Sequence, residues 1–201
     1  LPETRNPKPE TRNPKPETRL PMQKLAQFIY YKVLGWKVAG EFPVHLDKFV
    51  IAVVPHTSWV DFFLGLLIRK VWNEQINWVG KQSLFKPPFG WFFRWVGGAP
   101  IDRSKNNDAV TAAANVFADR KKFRLTLAPE GTRQKVAEWK TGFYYIAKAA
   151  EVPIVLIAFD FGKKQVKVSQ PYFPTEDKEA DFKNYKSFFK GVVGKISKYS
   201  F

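Results

Sequence analysis

The apolar residues of this chain come in short runs whose period switches back and forth, and no run exceeds the eight residues of Val152–Phe159. A bilayer-spanning helix needs about 20 consecutive apolar residues, so these runs predict a layered domain and no crossing of a membrane. FVIAVV (49–54) reads as a buried strand, and INWVGK (76–81), GGAPI (97–101), FRLTLA (123–128), VPIVLIAF (152–159, followed by Asp160) and QVKVS (165–169) as further strands. Between them lie helical stretches. Leu25, Phe28, Ile29, Val33 and Trp36 predict a first helix ending near Gly40, and 61–72, 106–122 and 138–151 predict three more. A last basic helix carries Phe182, Tyr185, Phe189, Val192, Ile196 and Tyr199. The expected fold class is α/β, a single layered domain with a mostly parallel or mixed sheet flanked by helices.

Residues 1–21 stand apart. NPKPETR at 6–12 repeats at 13–19, and proline at that density forbids a helix, so an extended or disordered tail outside the fold is expected. The only methionine, Met22, directly follows, and the natural start is expected there, leaving 22–201 as the domain.

Composition excludes several chemistries. With no cysteine there is no disulfide, thiolate metal site or cysteine nucleophile, and His45 and His56 alone cannot build a multi-histidine metal site. Thirty-three Lys and Arg against 18 Asp and Glu give a net charge of +15, and 16% of residues are aromatic. Surplus positive charge draws polyanions or anionic lipid, and the excess of Phe and Trp favours a membrane interface. Nucleic acid is not expected, since the aromatics show no basic–aromatic alternation on a sheet and instead cluster in LFKPPFGWFFRW (84–95). That cluster reads either as core beneath a loop or as a surface for a membrane or acyl chain. The first helix likewise either packs on the sheet or lies at an interface.

Three segments could carry chemistry. His56 follows a strand, where ligands bind in such sheets, and Asp61 follows five residues later. Five helical residues turn about 500°, leaving the two roughly 140° apart, so they meet only if His56 precedes the helix. Ser58 supplies that break as a capping-box start. Asp61 as a mere cap, with His56 a bystander, competes with His56 as a general base whose tautomer Asp61 fixes. Pro129-Glu130-Gly131-Thr132-Arg133 offers exposed N–H groups, a hydroxyl and a guanidinium, either a phosphate site or an ordinary turn. Gly98-Ala99-Pro100-Ile101-Asp102-Arg103-Ser104 and Lys81 are weaker candidates for the same anion.

Taken in order, His56-x-x-x-x-Asp61, Asp102-Arg103, Pro129-Glu130-Gly131-Thr132-Arg133 and Val152-Pro153-Ile154-Val155 resemble the four motifs of the glycerolipid (lysophosphatidate-type, 1-acyl-sn-glycerol-3-phosphate) acyltransferase family, over roughly residues 25–170. PEGTR is the most specific match and the VPIV pattern the loosest. Pro55 stands where many members carry asparagine. The resemblance implies that His56, held by Asp61, deprotonates a lysophospholipid hydroxyl, which attacks an acyl thioester of coenzyme A or acyl-carrier-protein. It implies that Arg103, Glu130, Gly131, Thr132 and Arg133 bind the acceptor's phosphate, with Lys81 kept as a candidate for the same anion from its place after INWVG. No cofactor or metal is expected beyond the donor substrate, and no covalent acyl-enzyme. The implied place of work is an anionic membrane surface on the cytoplasmic face, with peripheral or monotopic attachment. The alternatives are the same chemistry on another lysolipid or an aminolipid, or a non-catalytic module that binds anionic lipid.

Overall fold

The computed structural model describes residues 21–101 and 106–200. The repeats of the tail and the Asp102-Arg103 pair lie outside these described residues. Seven strands form one sheet: β1 (Lys37–Ala39), β2 (Lys48–Val53), β3 (Asn77–Lys81), β4 (Gly98–Ile101), β5 (Phe123–Leu127), β6 (Ile154–Asp160) and β7 (Gln165–Val168). Their spatial order is β1-β7-β6-β2-β5-β3-β4, and neighbours are parallel except β6 with β7. Six helices accompany them among the described residues: α1 (Pro21–Phe28), α2 (Trp59–Trp72), α3 (Gly90–Trp95), α4 (Asn106–Asp119), α5 (Gly142–Ala149) and α6 (Lys178–Phe189).

The unbroken apolar runs of β2 and β6 have a direct explanation, since successive strand side chains face opposite sides. Phe49, Ile51 and Val53 with Val155, Ile157 and Phe159 pack under α1 and α2. Val50, Ala52 and Val54 with Ile154, Leu156 and Ala158 pack under α4, α5 and α6 through Phe117, Phe143, Ile146, Tyr185 and Phe189. The expected α/β layering, with a mostly parallel sheet flanked by helices, is what the chain adopts.

Several boundaries differ from expectation. The first helix closes through a wide turn at Ile29–Val33 and stops at Gly35, whose φ of +67° suits glycine. Residues 37–39 leave it to become edge strand β1. Of the two readings of its apolar stripe, the outward one holds for Leu25, Phe28 and Val33. Ala26 and Tyr30 are buried against the core, Gln23 and Gln27 donate to the Val71 carbonyl, and Leu25, Phe28 and Val33 are exposed. The segment 84–95 divides: Phe85 is buried and Phe93 contacts Phe62, Trp78 and Phe85, whereas Phe89, Trp91 and Trp95 are exposed. Gly90 is required there, because a Cβ would meet the Phe85 carbonyl oxygen at 2.0 Å. Helix α5 begins at Gly142 rather than 138, and α6 ends at Phe189, leaving Val192 and Ile196 in an irregular segment.

At the amino-terminal edge of the sheet, Arg124 on β5 is fully buried. Its guanidinium donates to the Val44 and Leu46 carbonyls and to Glu74, which also pairs with Lys122. Removing one partner of a buried pair leaves an uncompensated charge, at a cost of about 3–5 kcal/mol. Glu74→Ala is therefore expected to destabilise the domain by about 3 kcal/mol in urea unfolding; a change under about 0.5 kcal/mol would show that the backbone carbonyls alone satisfy Arg124.

Candidate active site

Parallel pairing brings the loops together. Ala52 on β2 lies opposite Leu127 on β5, so the loops leaving both strands, 54–58 and 128–141, emerge side by side. Strand β3 pairs with β5 on the far side and delivers Lys81 to the same edge.

The His56 loop is built by one carboxylate. Ser58 is the N-cap of α2, extended at φ −148° and ψ 160°, and its Oγ accepts from the Val60 N–H. The reciprocal half of the capping box is Asp61, whose Oδ2 accepts the Thr57 and Ser58 N–H groups, each at 2.8 Å. That same oxygen lies 3.2 Å from His56 Nδ1. Asp61 is buried, while the His56 side chain is 28% exposed. A proton on Nδ1 directed at the carboxylate leaves the Nε2 lone pair as the basic site.

Glu130 does not take the place expected of it beside an acceptor phosphate. It is buried, and its Oε2 accepts the backbone N–H of His56 at 2.7 Å. Burial raises its carboxyl to about 7 and the nearby Asp61 charge adds to the rise, while the His56 N–H and ring oppose it. The rest of PEGTR is differently disposed. Gly131 turns at φ +64°, with Lys140 carbons 2.9 Å from where a Cβ would stand. Thr132 and Arg133 are exposed, and the Arg133 guanidinium sits 4.8 Å over the Trp59 ring.

A cavity of about 1130 Å³ opens along this edge. His56, Asp61, Lys81, Gly131, Thr132 and Arg133 line it, as do the apolar Phe62, Trp78, Leu84 and Phe159. This exceeds the roughly 300–1,000 Å³ of ordinary small-molecule pockets. His56, Lys81, Gly131, Thr132 and Arg133 thus border one cavity with Asp61, Glu130 holds the His56 backbone N–H, and Arg103 lies outside the described residues. Among the described residues no cluster of three or more histidine, aspartate or glutamate side chains could hold a metal ion.

The acyltransferase family profile matches residues 36–160, which span β1 to β6 and include His56, Asp61 and PEGTR. The chain belongs to the acyltransferase family. It is 29% identical over 73% of its length to an uncharacterized acyltransferase of Schizosaccharomyces pombe, covering 59% of that protein. It is 30% identical over 66% of its length to a 1-acyl-sn-glycerol-3-phosphate acyltransferase of Saccharomyces cerevisiae, covering 48% of it. The chain therefore spans between about half and three-fifths of these relatives. The crystal structure of the 1-acyl-sn-glycerophosphate acyltransferase from Thermotoga maritima shares the fold at a TM-score of 0.55 and 19% identity, over 83% of this chain and 74% of that one.

Within this acyltransferase domain the roles of Trp59 and Thr57 escape the sequence, whereas Lys140 has a signal in Trp139-Lys140-Thr141-Gly142-Phe143, a lysine-x-glycine run after PEGTR that also suits the family pattern. Trp59 had none, because its partner Arg133 is 74 positions away.

Glu130 gives a stability signature with a definite sign. Its native carboxyl holds a proton up to about 7, against an ordinary 4.5, so raising the pH through that window ionises the unfolded chain first and lowers stability. Glu130→Gln keeps an acceptor for the His56 N–H and removes the titration. Between pH 5 and 8 the variant is expected to gain on the order of 2 kcal/mol relative to wild type in urea unfolding; parallel pH curves for the two proteins would contradict the assignment.

Proposed function

We propose that this domain transfers a fatty acyl group from an acyl thioester, of coenzyme A or acyl-carrier-protein, to the free hydroxyl of a lysophospholipid, lysophosphatidate giving phosphatidate. The observation that carries the reading is the Asp61 Oδ2 to His56 Nδ1 contact at 3.2 Å on the wall of a cavity lined by both cationic and apolar side chains. Such a cavity suits an amphiphile with an anionic head. The relatives named 1-acyl-sn-glycerol-3-phosphate acyltransferases support the same acceptor class.

In this mechanism the acceptor hydroxyl donates to His56 Nε2, which removes the proton as the oxygen attacks the thioester carbonyl. Collapse of the tetrahedral intermediate breaks the C–S bond, and the imidazolium returns its proton to the departing thiolate. Asp61 stabilises the transient imidazolium and holds the ring in one tautomer. Lys81, Thr132, Arg133 and the Gly131 turn bind the acceptor phosphate, with Arg103 carried over from the family resemblance. His45 is exposed and has no part.

In a thiol-release assay with acyl-CoA and lysophosphatidate, folded His56→Ala is expected to lose on the order of 10²- to 10⁴-fold in kcat, with a severe loss also in Asp61→Asn. Near wild-type turnover in His56→Ala would overturn the mechanism.

The acceptor resides in a bilayer, so the domain is inferred to work at the anionic cytoplasmic membrane face, attached without a crossing segment of its own. No helix among the described residues is long and apolar enough to cross a membrane. Support comes from the exposed side chains of three helices: Leu25 and Phe28 on α1, Phe63 on α2, and Trp91 and Trp95, 70% and 77% exposed, on α3. α1 packs on α2, and Phe62 of α2 meets Phe93 of α3, so the three are neighbours. Each basic residue near anionic lipid adds about 1 kcal/mol, a part weakened by salt. Wild type is expected to float with anionic liposomes, less so in 1 M salt, and Trp91→Ser, Phe92→Ser and Trp95→Ser together to weaken the salt-resistant fraction. Failure of the wild type to float would refute interfacial attachment.

A further inference from the structure

The segment after α6 lies beyond the family-matched residues, yet it closes on the loop that carries His56. Val192 is buried and the Val193 carbonyl accepts the Phe161 N–H at 2.8 Å, which ties the segment to the end of β6. The Ile196 N–H donates to Thr57 Oγ1 at 3.2 Å, across 139 positions of sequence. Gly194 between them is pressed onto the loop: a Cβ there would stand 2.7 Å from Thr57 Cγ2, 2.9 Å from Thr57 Oγ1 and 3.2 Å from Pro55 Cγ. Thr57 is itself buried, and its N–H donates to the Asp61 oxygen that faces His56.

We propose that residues 192–196 form a strap that positions the His56–Asp61 pair, with Gly194 and Thr57 as its positioning residues. The strap touches the residues on either side of His56, so a displacement at Gly194 passes through a single peptide unit to the base. Glycine is demanded by close approach rather than by its backbone angle: real Cβ atoms essentially never sit at 2.7 Å from a side-chain carbon. Thr57 is gripped twice, through its N–H by Asp61 and through its hydroxyl by Ile196. Movement of about 1 Å at a catalytic group costs on the order of 10²-fold in rate.

The proposal rests on His56 and Asp61 being the catalytic pair, so its test carries one readout that needs no turnover. Gly194→Ala is expected to lower kcat in the thiol-release assay by about 10- to 100-fold, with KM for donor and acceptor within about twofold. Thr57→Ser removes the crowded Cγ2 and keeps the hydroxyl acceptor. Combined with Gly194→Ala it should restore part of the lost kcat, since the contact with Oγ1 at 2.9 Å remains. By NMR, the His56 imidazole resonances should move in Gly194→Ala and shift back towards wild type in the double variant, while those of His45 stay fixed. Unchanged kcat and unchanged His56 resonances in folded Gly194→Ala would overturn the strap. If wild type releases no thiol, the catalytic reading fails, and the His56 resonances still decide the strap. Should Gly194→Ala not fold, Thr57→Val takes its place: it keeps the shape and deletes the acceptor of the Ile196 N–H. Displaced His56 resonances there support the strap, and unmoved ones refute it.

Discussion

Oδ2 of Asp61 receives two backbone N–H groups and faces the His56 ring, and the local architecture depends on that oxygen being satisfied three ways. A buried carboxylate is expensive unless hydrogen-bonded. Here the backbone donors are the last residues of the loop 54–58, at the amino end of α2, where the helix dipole also favours negative charge. Capping and catalysis are therefore not rival explanations of Asp61. The cap requires the chain to pass through the extended Ser58, and that same bend brings His56 back over the helix start, closing the 140° gap that a continuous helix would leave.

The sheet fixes where this can happen. Strand β2 sits between β5 and β6, each parallel to it, so three carboxyl ends converge on one point. β5 sends PEGTR, β6 sends Phe161 and the strap contact, and β2 sends His56. At the opposite edge Arg124 serves a purely structural role, clamping the 44–46 loop to β5 and Glu74. One end of the sheet is thus closed by a fully satisfied charge, and the other keeps its polar groups facing a cavity.

Much of this was legible in the residues and some was not. β2 and β6 declared themselves as unbroken apolar runs because both faces are covered. The His56–Asp61 spacing and the Ser58 break were readable because capping is local chemistry. Strand β1 was hidden, since Trp36 fell on the helical period of Leu25 and Phe28, and Gly35, whose left-handed turn ends the helix, looks like any glycine. The stripe of α1 pointed outward because Ala26 and Tyr30 make the packing contact, and a period shows that a helix has faces without showing which face is buried. The residues of α6 and the strap formed one apolar stripe from Phe182 to Tyr199, although only the first part is helical. Contacts such as Ile196 with Thr57 leave no local trace at all.

Glu130 shows how far a motif can mislead about geometry. Its neighbours Gly131, Thr132 and Arg133 face the cavity, yet its own carboxyl turns to the back of His56 and lies near enough to Asp61 to feel its charge. Two ionised carboxylates around one imidazole would repel each other in a poorly hydrated place. The donors are divided unequally: Asp61 has two N–H groups and the imidazole, Glu130 has the single His56 N–H. Glu130 is the carboxyl that burial pushes up to about 7, which leaves a protonatable group on the backbone side of His56. The imidazole then stays oriented by Asp61 whichever state Glu130 is in, because the two carboxyls hold His56 by different atoms.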